Sequence, residues 1–315
     1  MVVYVKYNQG RKAQYRIVTS IIKENGLLYS RKEAELPEGE VFLESLISNY
    51  ELLGRAGLSF ALAKPSKKEK SIYFEFADGQ SLDSLLFKEI QNSDKDSVRK
   101  IFQLYKELMD KIPLKEDYLD DKFMNYFGEV VRKKYECMQI GCIDLIMDNI
   151  FINNGKYQLI DYEWVFNFTL PMKFVYFRTI LNSYNKYDDY NIGKILPINE
   201  TLRLFEINDS DAKNFLKYEY NFQTKVSKEE CMINYEEYLE KYKKIGLSSF
   251  GDKYDLITEE LDKVKRDNEK KEGEINKLSF EVSARNNEIT FMKNTKIWRL
   301  RMAIVKMKKT FFGAD

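Results

Sequence analysis

Residues 141–164 read GCIDLIMDNIFINNGKYQLIDYEW. Two short β-prone runs, residues 150–153 and 157–160, flank Asn153-Asn154-Gly155-Lys156, whose Asn-Gly pair suits the positive φ angles of a tight hairpin turn. Such a hairpin brings the residue before its first strand and the residue after its second to one edge. Those residues are Asn149 and Asp161, and Asp144 precedes Asn149 by five positions. Three oxygen-bearing side chains are thereby drawn into one neighbourhood. Carboxylate and amide oxygens suit a hard divalent cation, and a carboxylate can relieve a hydroxyl of its proton.

The run Asp144-Leu145-Ile146-Met147-Asp148-Asn149, followed by Asp161-Tyr162-Glu163-Trp164, resembles the catalytic and metal-binding loops of the protein-kinase-like phosphotransferases. It is closer to the choline kinase and aminoglycoside phosphotransferase branch than to protein kinases. Asp161-Tyr162-Glu163-Trp164 is similar to the Asp-Phe-Glu-Tyr run of choline kinases, and Pro171 arrives ten residues after Asp161 with no Ala-Pro-Glu signature. The resemblance implies an α+β bilobal protein-kinase-like fold, a small antiparallel-sheet lobe followed by a helical large lobe. It implies ATP and Mg2+ as cofactors, Asp144 as general base, Asn149 and Asp161 as metal ligands, and a small molecule or glycan as acceptor. Cys142-Ile143-Asp144 stands where many kinases carry His-Arg-Asp, which fits an enzyme not switched by activation-loop phosphorylation. Asp148 reads as a further acceptor-site carboxylate or as a solvated cap, and Glu163 as approaching the metal or the acceptor.

Upstream, residues 2–7, 14–22 and 27–32 have strand character, the last following Asn25-Gly26. The resemblance places Lys32 on this third strand as the lysine that meets the α- and β-phosphates; a surface lysine on an edge strand is the plain alternative. Pro37 opens a helix reaching Tyr50, with an apolar face at positions 43, 46, 47 and 50. Glu40 and Glu44 both lie near that face, and Glu44 is the expected partner of Lys32. The first turn, Asn8-Gln9-Gly10-Arg11-Lys12, lacks a Gly-x-Gly-x-x-Gly pattern, so phosphates would meet its backbone amides or the side chains of Arg11 and Lys12. The missing glycines also leave open a catalytically silent scaffold, and a helical adaptor without nucleotide is a third reading. Residues 71–76 form a buried strand leading to a hinge, where backbone groups near Glu75 and Phe76 would hold adenine. Ser81 caps a helix over 82–90. Residues 93–138 read as helical, and the chain beyond Trp164 as aromatic and helical to about Gly246. Phe166, Phe168, Phe174, Tyr176, Phe177 and Tyr184 suit a sugar-stacking surface or a core, and at this density most belong to the core.

Composition closes other routes. The 315 residues contain no histidine, which excludes Cys/His zinc sites and Ser-His-Asp catalysis, and three cysteines with no Cys-x-x-Cys pair, which fits a reducing compartment rather than a disulfide framework. A net charge of +1 gives no preference for nucleic acid. No secretory signal or membrane-spanning run is visible, so a cytoplasmic location is expected.

The last quarter changes character. From Tyr254 to Met292, positions spaced alternately by three and four are mostly apolar, including Ile257, Leu261, Val264, Ile275, Leu278, Val282 and Ile289. This heptad pattern predicts a coiled coil and a parallel homodimer through 254–292, with Asn268 at a core position setting register; a single helix folded back on the large lobe is the alternative. Residues 293–312 then mix Lys293, Lys296, Arg299, Arg301, Lys306, Lys308 and Lys309 with Trp298, Phe311 and Phe312, and carry no acidic residue. Such a basic amphipathic tail suits an anionic membrane surface or a partner protein. The expected division is therefore 1–78, 79–250, 251–293 and 294–315. The layout also resembles the kinase part of bacterial kinase–methyltransferases that cap cell-surface polysaccharides, which implies a role in polysaccharide synthesis at the inner membrane face.

Overall fold

Asn25 and Gly26 both hold positive φ, 49° and 85°. Strands β2 (Ile17–Glu24) and β3 (Leu27–Ala34) therefore reverse in two residues and pair from Glu24 and Leu27 to Ile17 and Ala34. In the computed structural model this hairpin is the centre of a five-stranded antiparallel sheet. Beside it lie β1 (Val2–Tyr7) and, after the short β4 (Ala61–Leu62), the strands β5 (Pro65–Lys68) and β6 (Ser71–Glu75), in the order β1-β2-β3-β6-β5. The structure describes residues 1–232, 252–294 and 296–312. The chain divides into two units, Met1–Ser248 and Ser249–Asp315.

A turn at Pro37–Gly39 leads into helix α1 (Glu40–Leu53). Its buried face is Leu43, Leu46, Asn49 and Leu53, while Ile47 and Tyr50 are only half-buried. A polar residue thus takes a place in what the sequence pattern marks as an apolar stripe. The expected hairpin forms with its predicted register, Ile150 opposite Leu159 and Asn153 opposite Lys156, and Asn154 and Gly155 take positive φ at its turn. It sits inside a second sheet, flanked by β4 in parallel and by β7 (Gln80–Ser81) antiparallel. Gly79 crosses close to this hairpin: a Cβ there would fall 2.2 Å from the Ile152 carbonyl oxygen.

The remainder of the first unit is mainly helical. Ser81 accepts a hydrogen bond from the Ser84 amide at 3.0 Å and caps α2 (Leu82–Gln91), and Asp94 caps α3 (Lys95–Met109). The continuous helix expected to 138 stops at Met109. Ile112-Pro113 cannot extend it, and Lys115–Asp117 pairs with Tyr135–Met138, which also pairs with Leu170–Pro171. These strands are too short for their periodicity to be read. Helices Met172–Lys186 and Asp209–Val226 pack behind them. Phe166, Phe168, Phe174, Tyr176, Phe177 and Tyr184 are all buried, so these rings are core rather than a sugar-stacking surface. The mixed α+β order, sheet-rich lobe then helical lobe, is the expected one.

In the second unit, Asp252–Asn294 is one helix of 43 residues and Lys296–Phe312 another of 17. At 1.5 Å per residue the first spans about 65 Å. Ile275, Leu278, Val282, Ile289 and Met292 are between 45% and 64% exposed on it. No helix among the described residues is long and apolar enough to cross a membrane. The expected end of the helical lobe near Gly246, the boundary at 250, and the side chains of Ile257, Leu261, Val264, Phe311 and Phe312 lie outside the described residues.

Candidate active site

The hairpin carries its pairing one step past the strands: the Ile160 amide donates to the Asn149 carbonyl at 2.9 Å. Asn149 and Asp161 consequently emerge together at the open end. Asp161 holds φ +54°, a left-handed conformation uncommon for a side-chain-bearing residue, which turns the chain sharply out of the strand. The Asn149 amide group donates to the Asp144 carbonyl at 2.9 Å and to the Asp161 carbonyl at 3.4 Å. One side chain therefore ties Asp144 to Asp161.

Lys32 reaches the same point from the sheet. Strand β3 is paired on both sides, Lys32 opposite Thr19 and Ile72, so the side chain leaves the sheet face rather than an edge and is 3% exposed. The edge-strand alternative falls on that pairing. Its Nζ contacts the Asp161 carboxylate and lies 2.5 Å from Glu163 Oε1. Burial by itself lowers the Lys32 ammonium pKa, but the Asp161 and Glu163 carboxylates reverse this and hold it well above its ordinary value.

The expected partner of Lys32, Glu44, is elsewhere. It faces solvent on α1, 62% exposed, and bonds Lys67 Nζ at 2.6 Å. Its position on the helix, one step from buried Leu43, points it away from the sheet, and Glu40 likewise pairs with exposed Lys70. The inward polar residue of α1 is Asn49, whose amide donates to the carbonyls of Tyr162 and Glu163 at 3.2 and 2.9 Å. Beside Asp161, the carboxylate that meets Lys32 is Glu163 and not Glu44. It is 6% exposed, and its second oxygen accepts from Arg11 Nη1 at 2.6 Å. Burial raises a carboxylate pKa, yet Lys32 and Arg11 together bring that of Glu163 down to about 2.

Arg11 thus joins the site, but Lys12 does not. The backbone turn directs Lys12 Nζ to the Thr224 carbonyl, 2.8 Å away at the end of helix Asp209–Val226. Glu75 and Phe76 line a cleft of about 170 Å³ with Ile21, Phe74, Phe151 and Ile160, and Lys32 and Asp161 stand in the same wall. The Phe76 amide is engaged by the Leu28 carbonyl at 3.2 Å, so it is not the hinge donor.

Asp144 is 8% exposed, and its Oδ2 accepts from the Trp164 amide at 2.6 Å. Burial pushes its pKa up to about 7, against the pull of Arg178 and the Trp164 amide, with Glu163 and Asp161 adding to the rise. Arg178 donates to the Ile143 carbonyl at 3.1 Å and to buried Glu219 at 2.5 Å, bracing the loop from behind. Asn49, Arg178 and Glu219 carry no local motif that marks them in the sequence. Asp148 pairs with Lys186, which also bonds Asp83 at 2.6 Å, so it is an ion-paired residue rather than a solvated cap.

Among the described residues no cluster of three or more histidine, cysteine or acidic side chains is arranged to hold a metal ion by itself. The side chains that could give oxygens to a cation here are one carboxylate, Asp161, and one amide, Asn149. That sparse oxygen set fits Mg2+, which binds through one or two protein oxygens together with phosphate oxygens and water.

No protein-family model and no curated protein sequence matches the chain. Solved structures similar to it include several phosphotransferases. The aminoglycoside phosphotransferase APH(4)-Ia superposes with a TM-score of 0.40 at 11% identity, covering 71% of this chain and 86% of that one. A macrolide 2'-phosphotransferase type I gives 0.35 at 11% identity over 70% and 83%, and ADP-bound APH(2'')-Ib gives 0.35 at 12% over 74% and 90%. Likeness at this level is remote.

Proposed function

We propose that this protein is an ATP- and Mg2+-dependent phosphotransferase whose acceptor is a hydroxyl of a small molecule or glycan. The observation that carries this is the Asn149 side chain, bonded to the backbone of both Asp144 and Asp161, while Lys32 holds the Asp161 carboxylate at the wall of an apolar cleft. The cleft's aliphatic and aromatic walls suit a flat heterocycle, with Glu75 and Phe76 among the residues that line it. Lys32 sets the phosphate chain, and Asp161 and Asn149 hold the cation through their oxygens. Bound Mg2+ and ATP supply the transferable phosphoryl group and the charge that stabilises its transfer. Asp144 keeps Oδ2 on the Trp164 amide and would offer Oδ1 to the acceptor hydroxyl, taking its proton as the acceptor oxygen bonds the terminal phosphorus and the bridging P–O bond breaks to release ADP.

The exposed apolar positions of the long helix, Ile275 to Met292, support a parallel homodimer through 254–292, because a single chain leaves that seam in water. The helix Lys296–Phe312, with Leu300, Met302, Ile304 and Val305 exposed among basic residues, supports docking on an anionic membrane surface. Both features support a place for the activity at the inner membrane face, and the proposed role in synthesis of a cell-surface polysaccharide rests on the resemblance of the layout alone. A second reading, a silent scaffold, draws on Lys32 being held by two carboxylates and on the single glycine of the first turn.

Thermal unfolding with Mg2+ and ATP decides between them, since a ligand that binds only the folded state raises the midpoint. A rise that requires Mg2+ and disappears in Asp161→Asn supports the enzyme. No rise at millimolar nucleotide eliminates it and leaves the scaffold.

A further inference from the structure

Glu163 is bound from three sides. Its Oε1 meets Lys32 from β3, its Oε2 meets Arg11 from the β1–β2 connection, and its carbonyl is held by Asn49 of α1. The carboxylate is buried, and each oxygen serves a different cation. The loop bearing Arg11 is fixed too. The Lys12 amide donates to the Val226 carbonyl at 2.8 Å, the Lys228 amide to the Gly10 carbonyl at 2.8 Å, and Arg16 Nε to the Arg11 carbonyl at 3.0 Å. Gly10 lies so close to Cys231 that a Cβ would approach its sulfur to 3.2 Å. Arg11 is therefore set by backbone pairing and aimed by one carboxylate, with a quarter of its side chain exposed. A guanidinium held at one nitrogen keeps further N–H groups for a second oxyanion.

We infer that Glu163 is a positioning residue shared by two phosphate-binding cations, and that Arg11 is the second of them. In this arrangement a carboxylate two residues past Asp161 replaces a helix glutamate as the brace for Lys32, and a side-chain guanidinium replaces the backbone amides of a glycine-rich loop. The assignment rests on the nucleotide reading above and adds which part of the nucleotide each residue senses.

The test is calorimetric titration of the full chain with adenosine, ADP and ATP, the last two with Mg2+. Arg11→Ala should weaken ATP by about tenfold to a hundredfold, the usual size of a lost charge-assisted hydrogen bond, while adenosine changes by no more than about twofold. Arg11→Lys should recover part of the loss. Glu163→Gln should weaken ATP in the same phosphate-dependent way, and the double variant should lose less than the product of the single losses, because both act through one contact. Glu163→Asp, which keeps the charge but shortens the reach, gives a folded control with an intermediate loss.

Tighter ATP binding in Glu163→Gln would overturn the assignment, because the carboxylate would then compete with phosphate for the two cations. Equal losses of adenosine and ATP in Arg11→Ala would overturn it as well, reducing Arg11 to a loop support. A wild-type chain that binds neither adenosine nor ATP defeats the nucleotide reading and this assignment with it. Binding with the wrong phosphate dependence defeats the assignment alone.

Discussion

Replacing Asp144 with Asn should slow phosphoryl transfer severely and at the same time stabilise the fold above neutral pH. The carboxyl is buried, and its folded pKa of about 7 stands well above the ordinary 3.8. A raised carboxylate favours the folded state fully below its unfolded value, and that benefit is lost as pH rises through the folded value. The difference of about 3 units corresponds to about 4 kcal/mol of stability lost between pH 4 and pH 8. Asparagine keeps the shape and the Trp164 contact but does not ionise. The stability of Asp144→Asn relative to the native chain should therefore grow by about 3 kcal/mol between pH 5 and pH 8, from the roughly 2 units that separate pH 5 from the folded pKa. Urea denaturation at the two pH values measures this, and the other titrating groups cancel in the difference. Transfer should fall by about a hundredfold to ten-thousandfold, the usual contribution of a general base. A stability difference that is the same at both pH values would show that Asp144 is ionised at no cost. The buried-base argument would then fail.

Three further outcomes follow from named contacts. Glu44→Gln should leave both nucleotide binding and the urea midpoint unaltered, because the Lys67 pair is exposed; a selective loss of ATP binding would return Glu44 to the site. Arg178→Leu should destabilise by about 3–5 kcal/mol in urea, since it strands buried Glu219 without its partner. Val282→Glu should convert the expected dimer to a monomer in analytical ultracentrifugation while leaving ATP affinity intact, and an unchanged mass would show that the exposed seam does not carry self-association.

The parts of the site legible in the sequence are those written in one stretch. Asn154-Gly155 sets a turn, the turn sets the register of eight residues, and the register brings Asn149 and Asp161 to one edge with Asp144 a short loop away. Nothing distant is needed for that. Lys32 was reachable only through the family resemblance, since the β2–β3 register that Asn25-Gly26 sets fixes its strand but not its burial. What local patterning could not decide was which carboxylate Lys32 meets. Helical periodicity admits Glu40 and Glu44 near the apolar face of α1, but the packed helix turns Asn49 inward and both glutamates to surface lysines. The brace comes instead from Glu163, 131 residues away in the chain.

The same division runs through the rest of the molecule. Turns, caps and the long helix are encoded by neighbours a few residues apart, so the amino-acid sequence by itself determines the sheet hairpins, the Ser81 cap and the 43-residue helix. Pairings across large separations belong to the folded chain alone. They include the Lys12 and Lys228 amides that pin the Arg11 loop, the Arg178–Glu219 ion pair behind Asp144, and the short strands Lys115–Asp117 and Tyr135–Met138. These depend on how elements of comparable local stability pack, and burial decides among partners that periodicity cannot rank.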